Sequence, residues 1–89
     1  MSDPETLEQW QEAVDAAAGA RAVADCQMYG LIKGGPKIDV ARCDEILSRG
    51  KAQGVLLSKP ETELAIEFVK LVNAQAAQAA REKAQREGR

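Results

Sequence analysis

The sequence predicts an all-α fold: a small three-helix domain with long first and third helices and a short middle helix. Three observations predict it. Apolar residues recur at three- and four-residue spacing in two long stretches and one short one, the repeat of a helix face. Glycine and proline cluster mainly in two places, Gly34-Gly35-Pro36 and the stretch from Gly54 to Pro60. Aromatics are only 3 % of the 89 residues, and alanine, the best helix former, fills much of the 45 % apolar share.

The first helix is expected over residues 3–29. Leu7, Trp10, Val14, Ala17, Ala24 and Met28 fall on one stripe, and Pro4 is tolerated in a first turn. Gly30 is a left-handed stop, after which Leu31 can fold back on Cys26 in a Schellman-type cap. Such a helix is about 40 Å long, more than a globule of this size needs. Within the run Ala16-Ala17-Ala18-Gly19-Ala20 the small residues suit close packing by a second helix. Gly19 costs the helix about 1 kcal/mol relative to alanine and is given no special role.

Leu31 to Ile38 is the main turn. Two glycines beside Pro36 do not continue a helix, and Pro36 biases Gly35 to extended geometry. The flanking Lys33 and Lys37 suggest a phosphate loop, but the Walker pattern is absent and no strand precedes. The second helix is expected over 39–53, capped by Asp39, with Val40, Cys43, Ile46 and Leu47 on its buried side and Gly54 at its end. Lys51 suits the negative end of its dipole, whereas Gly50 weakens the last turn.

Val55-Leu56-Leu57 then predicts an apolar linker pressed into the core. Ser58-Lys59-Pro60-Glu61 fits a capping box, and its lettering echoes Ser2-Asp3-Pro4-Glu5, as if one helix-start solution were used twice. The third helix is expected over 59–82, with Leu64, Ala65, Phe68, Val69, Leu71, Val72, Ala76 and Ala79 spread over half its circumference. That is wide for one helix of a three-helix domain. The organisation read from the chain is a helical domain over 1–80 and a charged helical or frayed tail over 81–89.

The net charge of −2 conceals a segmental pattern: −5 over residues 1–30, +3 over 31–59, −2 over 60–80 and +2 over 81–89. Two readings follow. The acidic first helix lies near the basic middle of its own or a neighbouring chain, or Lys33, Lys37, Arg49 and Lys51 form an anion-binding surface. Arg21 and Asp25, four residues apart, form either a border ion pair or a register-fixing contact inside a helix interface.

Catalysis is not expected. The chain lacks histidine, its serines sit at caps or flanks, and its carboxylates lie mostly on exposed faces. Cys26 and Cys43 match no metal or redox spacing and read as packing residues, with a disulfide as the alternative. No cofactor or metal is expected. No stretch approaches the roughly 18 apolar residues of a membrane span, and the acidic start differs from an export signal, so the expected location is cytoplasmic.

A chain this short cannot bury so much apolar stripe alone. The expected function is a non-catalytic protein-interaction module, a regulator, inhibitor or accessory subunit. It acts through oligomerisation and helix-face binding, as a homodimer or in a heteromeric protein complex. Leu7, Trp10, Val14, Arg21, Phe68 and Val72 are the candidate interface. The alternative is a nucleic-acid-binding accessory protein using the basic 33–51 segment or the C-terminal tail. Against it, the chain is acidic overall and the first turns from Pro60 carry no Arg, Asn or Gln to read base edges.

Overall fold

The computed structural model describes residues 4–87 and contains three helices: α1 (Leu7–Met28), α2 (Val40–Ala52) and α3 (Glu61–Glu87). No strand occurs among the described residues. The expected fold class, with long first and third helices around a short second, is the one observed. The parts of the first-helix and helix-start readings that fall on Met1, Ser2 and Asp3 lie outside the described residues.

α1 begins later than the stripe suggested. Thr6 is its N-cap: its hydroxyl accepts from the Gln9 N–H at 3.1 Å, while the Gln9 side-chain carbonyl accepts from the Thr6 N–H at 3.3 Å. That reciprocal pairing satisfies two backbone donors at the helix start and leaves Pro4 outside the helix. The other end follows the sequence closely. The Leu31 N–H reaches the Cys26 carbonyl at 2.9 Å and the Gly30 N–H reaches Gln27, a Schellman pair with Gly30 at φ +75°. The same device closes α2, where Gly54 sits at φ +81° and Val55 N–H bonds the Gly50 carbonyl at 2.9 Å. Asp39 caps the start of α2 by accepting from the Arg42 N–H.

α1 is the centre of the fold. Both α2 and α3 pack on it, and the backbones of α2 and α3 do not approach each other among the described residues. The contacts that set these packings occur at glycines. A Cβ on Gly19 would lie 2.5 Å from the Leu64 carbonyl oxygen and 3.1 Å from Phe68 Cβ. A Cβ on Gly50 would lie 2.2 Å from Val14 Cγ2. Gly19, read as unremarkable, is therefore where the α3 backbone rests on α1. Gly50, read as a weak last turn, is buried where α2 crosses α1. In both cases the propensity cost is offset by close helix approach.

The core is thin and built mainly from small residues. Trp10, Val14 and Val55 form one cluster, supported by Ile46 and Leu47. Ala17, Ala20 and Cys43 form the next, flanked by Ile38 and Phe68. Of the Val55-Leu56-Leu57 linker, only Val55 enters the core, delivered there by the cap at Gly54. Leu56 is exposed and Leu57 only partly covered. The linker is held from outside instead: Gln11 Nε2 donates to the Leu56 carbonyl at 2.8 Å. Asp15 accepts from the Ser58 N–H at 3.1 Å and from its hydroxyl at 2.6 Å.

That last bond corrects the capping-box reading of Ser58. Its hydroxyl is committed to Asp15, and α3 begins from Pro60, whose carbonyl accepts from Leu64. The resemblance between the two helix starts is therefore not structural, since α1 is capped at Thr6 and α3 starts two positions earlier in the shared lettering. Gln27 holds the other linker as Gln11 holds this one, donating to the carbonyls of Gly34 at 2.9 Å and Pro36 at 3.1 Å.

The crossing at Gly19 generates a test. Gly19→Ala gains about 1 kcal/mol of helix propensity. Its methyl meets a carbonyl that no side-chain rotation can move, and overpacking costs about 1–3 kcal/mol or more. The expected outcome is a net loss of about 1–2 kcal/mol in urea unfolding. A variant as stable as the parent contradicts the close crossing.

Candidate functional site

The expected interface residues fall into three environments. Trp10 and Val14 are 6 % and 2 % exposed and are already covered by Val55, Ile46 and Leu47 of the same chain. Phe68 and Val72 are half-buried, their inner sides toward α1. Leu7, by contrast, is 68 % exposed at the first turn of α1, so it and Met28 mark the ends of a stripe whose middle alone is buried.

Arg21 acts within the chain. Its Nη1 pairs with Asp25 at 2.8 Å and its Nε with Asp44 of α2 at 3.1 Å. One guanidinium thus ties the middle of α1 to the middle of α2, a use that the i, i+4 spacing alone does not reveal. Half-exposed pairs of this kind contribute from a few tenths to about 1 kcal/mol, with the planar fork favouring a fixed crossing.

The candidate anion-binding residues do not form one cluster. Lys33 and Lys37 belong to the linker before α2, whereas Arg49 and Lys51 lie in its last turn. The intervening helix of 13 residues separates them by about 18 Å. Arg49 is engaged with its own chain, 5.4 Å from the Trp10 ring centre and 3.7 Å from Glu45. Arg42 pairs with the same Glu45 at 3.2 Å. Lys33, Lys37 and Lys51 are exposed and make no ion pair among the described residues. Lys59 pairs with Glu67, whose hydrogen bond and charge push its ammonium above the ordinary lysine value.

Both cysteines are free thiols. Cys43 is buried among Ala17 and Ala20, which fits the packing reading. Burial, followed by the nearby Asp39 and Asp44, pushes its thiol up, with Arg21 opposing. Cys26 is only half-buried and borders a groove on the flank of α3. No group of three or more Cys, Asp or Glu among the described residues is arranged to hold a metal ion.

The apolar residues of α3 are only partly covered, as the width of its stripe implied. Leu64 is buried and Ala65 half-buried, but Ile66 is 56 %, Leu71 57 % and Val69 38 % exposed. The cause is geometric. α3 meets α1 first at Gly19, runs alongside it and passes its end near Val72 and Asn73, so every residue from Asn73 to Arg86 is exposed. A groove of about 260 Å³ opens on one side of the meeting line, between Glu12, Asp15, Ala16, Leu64 and Leu71, and two more lie on the other side. One, of about 180 Å³, lies between Val23, Gln27, Pro36, Phe68 and Val72; the other, of about 390 Å³, is lined by Val23, Cys26, Ile32, Ile66 and Val69. Met28, Tyr29 and Leu31 add a second exposed apolar cluster at the end of α1.

Ile66 is the residue that the stripe reading missed. Its signal was available in its spacing to Val69 and Asn73, which continues at Ala76 and Ala80. Among the described residues, no helix is long and apolar enough to cross a membrane. No known protein family, curated protein or solved structure matches the chain.

The environments of the two thiols predict their chemistry. The thiolate is the reactive form, and Cys43 is disfavoured from ionising as well as covered. At pH 8, iodoacetamide is expected to alkylate Cys26 well before Cys43, and Cys43 to react at the rate of global unfolding. Because its folded thiol is raised, its contribution to stability is complete below the ordinary thiol range and declines as pH rises through the folded value. Equal alkylation rates, followed by mass spectrometry, contradict the assignment.

Proposed function

We propose that the protein is a non-catalytic helical interaction module, a regulator, inhibitor or accessory subunit, whose working surface is the outer side of α3. The observation that carries this reading is the exposure of Ile66 and Val69, neighbours on one face, along a helix that outruns its own support. Exposed apolar residues in a contiguous stripe are unfavourable in water unless a partner covers them. An amphipathic helix laid against another helix or groove is a common solution. The groove that carries Glu12, Asp15 and Glu67 has Asp15 committed to Ser58 and Glu67 to Lys59, and the grooves on the other side of α3 are open and mainly apolar.

Affinity capture from native extract tests the reading. The parent chain is expected to retain a protein after nuclease treatment. The double variant Ile66→Glu with Ala76→Glu, both exposed on that face, is expected to lose it while keeping its helical circular dichroism. Loss of everything on nuclease treatment favours the nucleic-acid alternative.

The three unpaired lysines test that alternative directly. Replacing Lys37 and Lys51 with glutamine is expected to leave protein capture unchanged; Lys33 lines the groove beside Val69 and Asn73, so its glutamine variant is made separately and read on nucleic-acid binding alone. Arg49 is omitted because its loss also strips the cover from Trp10. If these lysines face a polyanion, binding of labelled DNA or RNA falls steeply with salt, and each lost charge flattens that dependence. Tight salt-sensitive binding overturns the proposed function.

A further inference from the structure

Resting on that reading of α3, we infer that its outer stripe is occupied by α3 of a second copy, packed antiparallel about a two-fold axis near residues 74 and 75. Thr62, Ile66, Val69, Asn73, Ala76, Ala80 and Lys83 follow one another at alternating spacings of four and three, and all are exposed. That spacing is the seam of a two-stranded coiled coil. It lies to one side of the Leu64–Phe68–Val72 line that faces α1, so a second helix fits without displacing the first.

Surface area argues for a partner of this size. The chain exposes 6853 Å², against about 5,100 Å² for a folded monomer of 9.6 kDa. Its radius of gyration is 15.2 Å, where a compact chain of this length has about 12 Å. The excess of roughly 1,700 Å² per chain falls in the range that an obligate homodimer buries. An isologous contact along α3 covers the part of it that lies on the seam, on both copies at once.

The stripe itself selects the antiparallel sense. Its bulky residues, Ile66 and Val69, lie at one end and its small ones, Ala76 and Ala80, at the other. Turned end for end, each Val69 faces Ala80 and each Asn73 faces Ala76 of the second copy, while Ile66 lies under the aliphatic stem of Lys83, whose ammonium reaches solvent. A parallel pair sets Ile66 on Ile66 and Ala80 on Ala80, which splays one end or leaves a gap at the other. Charge acts in the same sense. Residues 61–70 of α3 sum to −2 and residues 81–86 to +2, so the antiparallel pair sets ends of opposite net sign together, with Glu63 opposite Arg86. The groove lined by Cys26, Ile32, Ile66 and Val69 then receives the alanine-rich end of the partner helix.

Two measurements on the full chain test this. Sedimentation at about 50 µM, a concentration well above the range of stable homodimers, is expected to give a dimer. Ala80→Glu is expected to give a monomer with an unchanged near-ultraviolet spectrum, since residue 80 lies beyond the contacts of α1 and α2. Spin labels at Gln85→Cys, in a Cys26→Ala, Cys43→Ala background, are expected about 35 Å apart across the dimer. In a parallel pair they lie within about 20 Å. A monomeric parent, an Ala80→Glu dimer, or the short distance each overturns the inference. A monomer that still captures another protein after nuclease treatment sinks only the second-copy assignment. A monomer that captures none sinks the interaction reading with it.

Discussion

The close approach of helices at Gly19, against the Leu64 backbone, and at Gly50, against the Val14 side chain, is the constraint on which this fold depends. With three aromatic residues and an alanine-rich central helix, the chain has little bulk to fill the space between helices at ordinary separation. Dispersion falls steeply when a gap opens between apolar surfaces. The helices therefore come close enough for the Leu64 backbone to rest on Gly19 and for Val14 to rest on Gly50. Given that approach, Ala17, Ala18, Ala20 and Ala24 are large enough to make a core.

The same constraint explains what is left uncovered. Two helices pressed on opposite parts of α1 do not meet each other, so no element closes over the outer side of α3. Side-chain hydrogen bonds hold the linkers where apolar burial does not: Gln11 and Asp15 secure the approach to α3, and Gln27 secures the approach to α2. α3 is thus firmly placed at its beginning and unsupported beyond Asn73. A solvated helical segment of that length is marginal in water without tertiary cover. The exposed seam and the projecting end are consequences of one packing arrangement.

Local signals were legible in the sequence, and long-range ones were not. The Schellman cap at Gly30, the Asp39 cap and the stop at Gly54 depend on residues within six positions of one another, and the structure reproduces them. Ser58 was misread because its letters fit a capping box while its true partner, Asp15, lies 43 residues away. Gly19 was misread for the same reason: a glycine in a helix signals a cost locally and a contact only when Leu64 arrives from elsewhere. The basic segment looked continuous in sequence, yet α2 places its two halves at opposite ends. Ile66 falls outside the half-circumference stripe because Glu63 and Lys70 flank it on the helix surface, and only the path of α3 past α1 shows it as the edge of a bare apolar face.

Amide hydrogen exchange as a function of protein concentration tests most directly whether a partner copy completes this packing. Opening of the segment 74–87 is a local event, separable from global unfolding. At low concentration its amides are expected to exchange almost freely, while those of α1 around Gly19 remain protected. At high concentration the α3 amides are expected to become protected, because a partner that binds only the ordered helix shifts that equilibrium by mass action. Exchange in 74–87 that does not change with concentration contradicts the account.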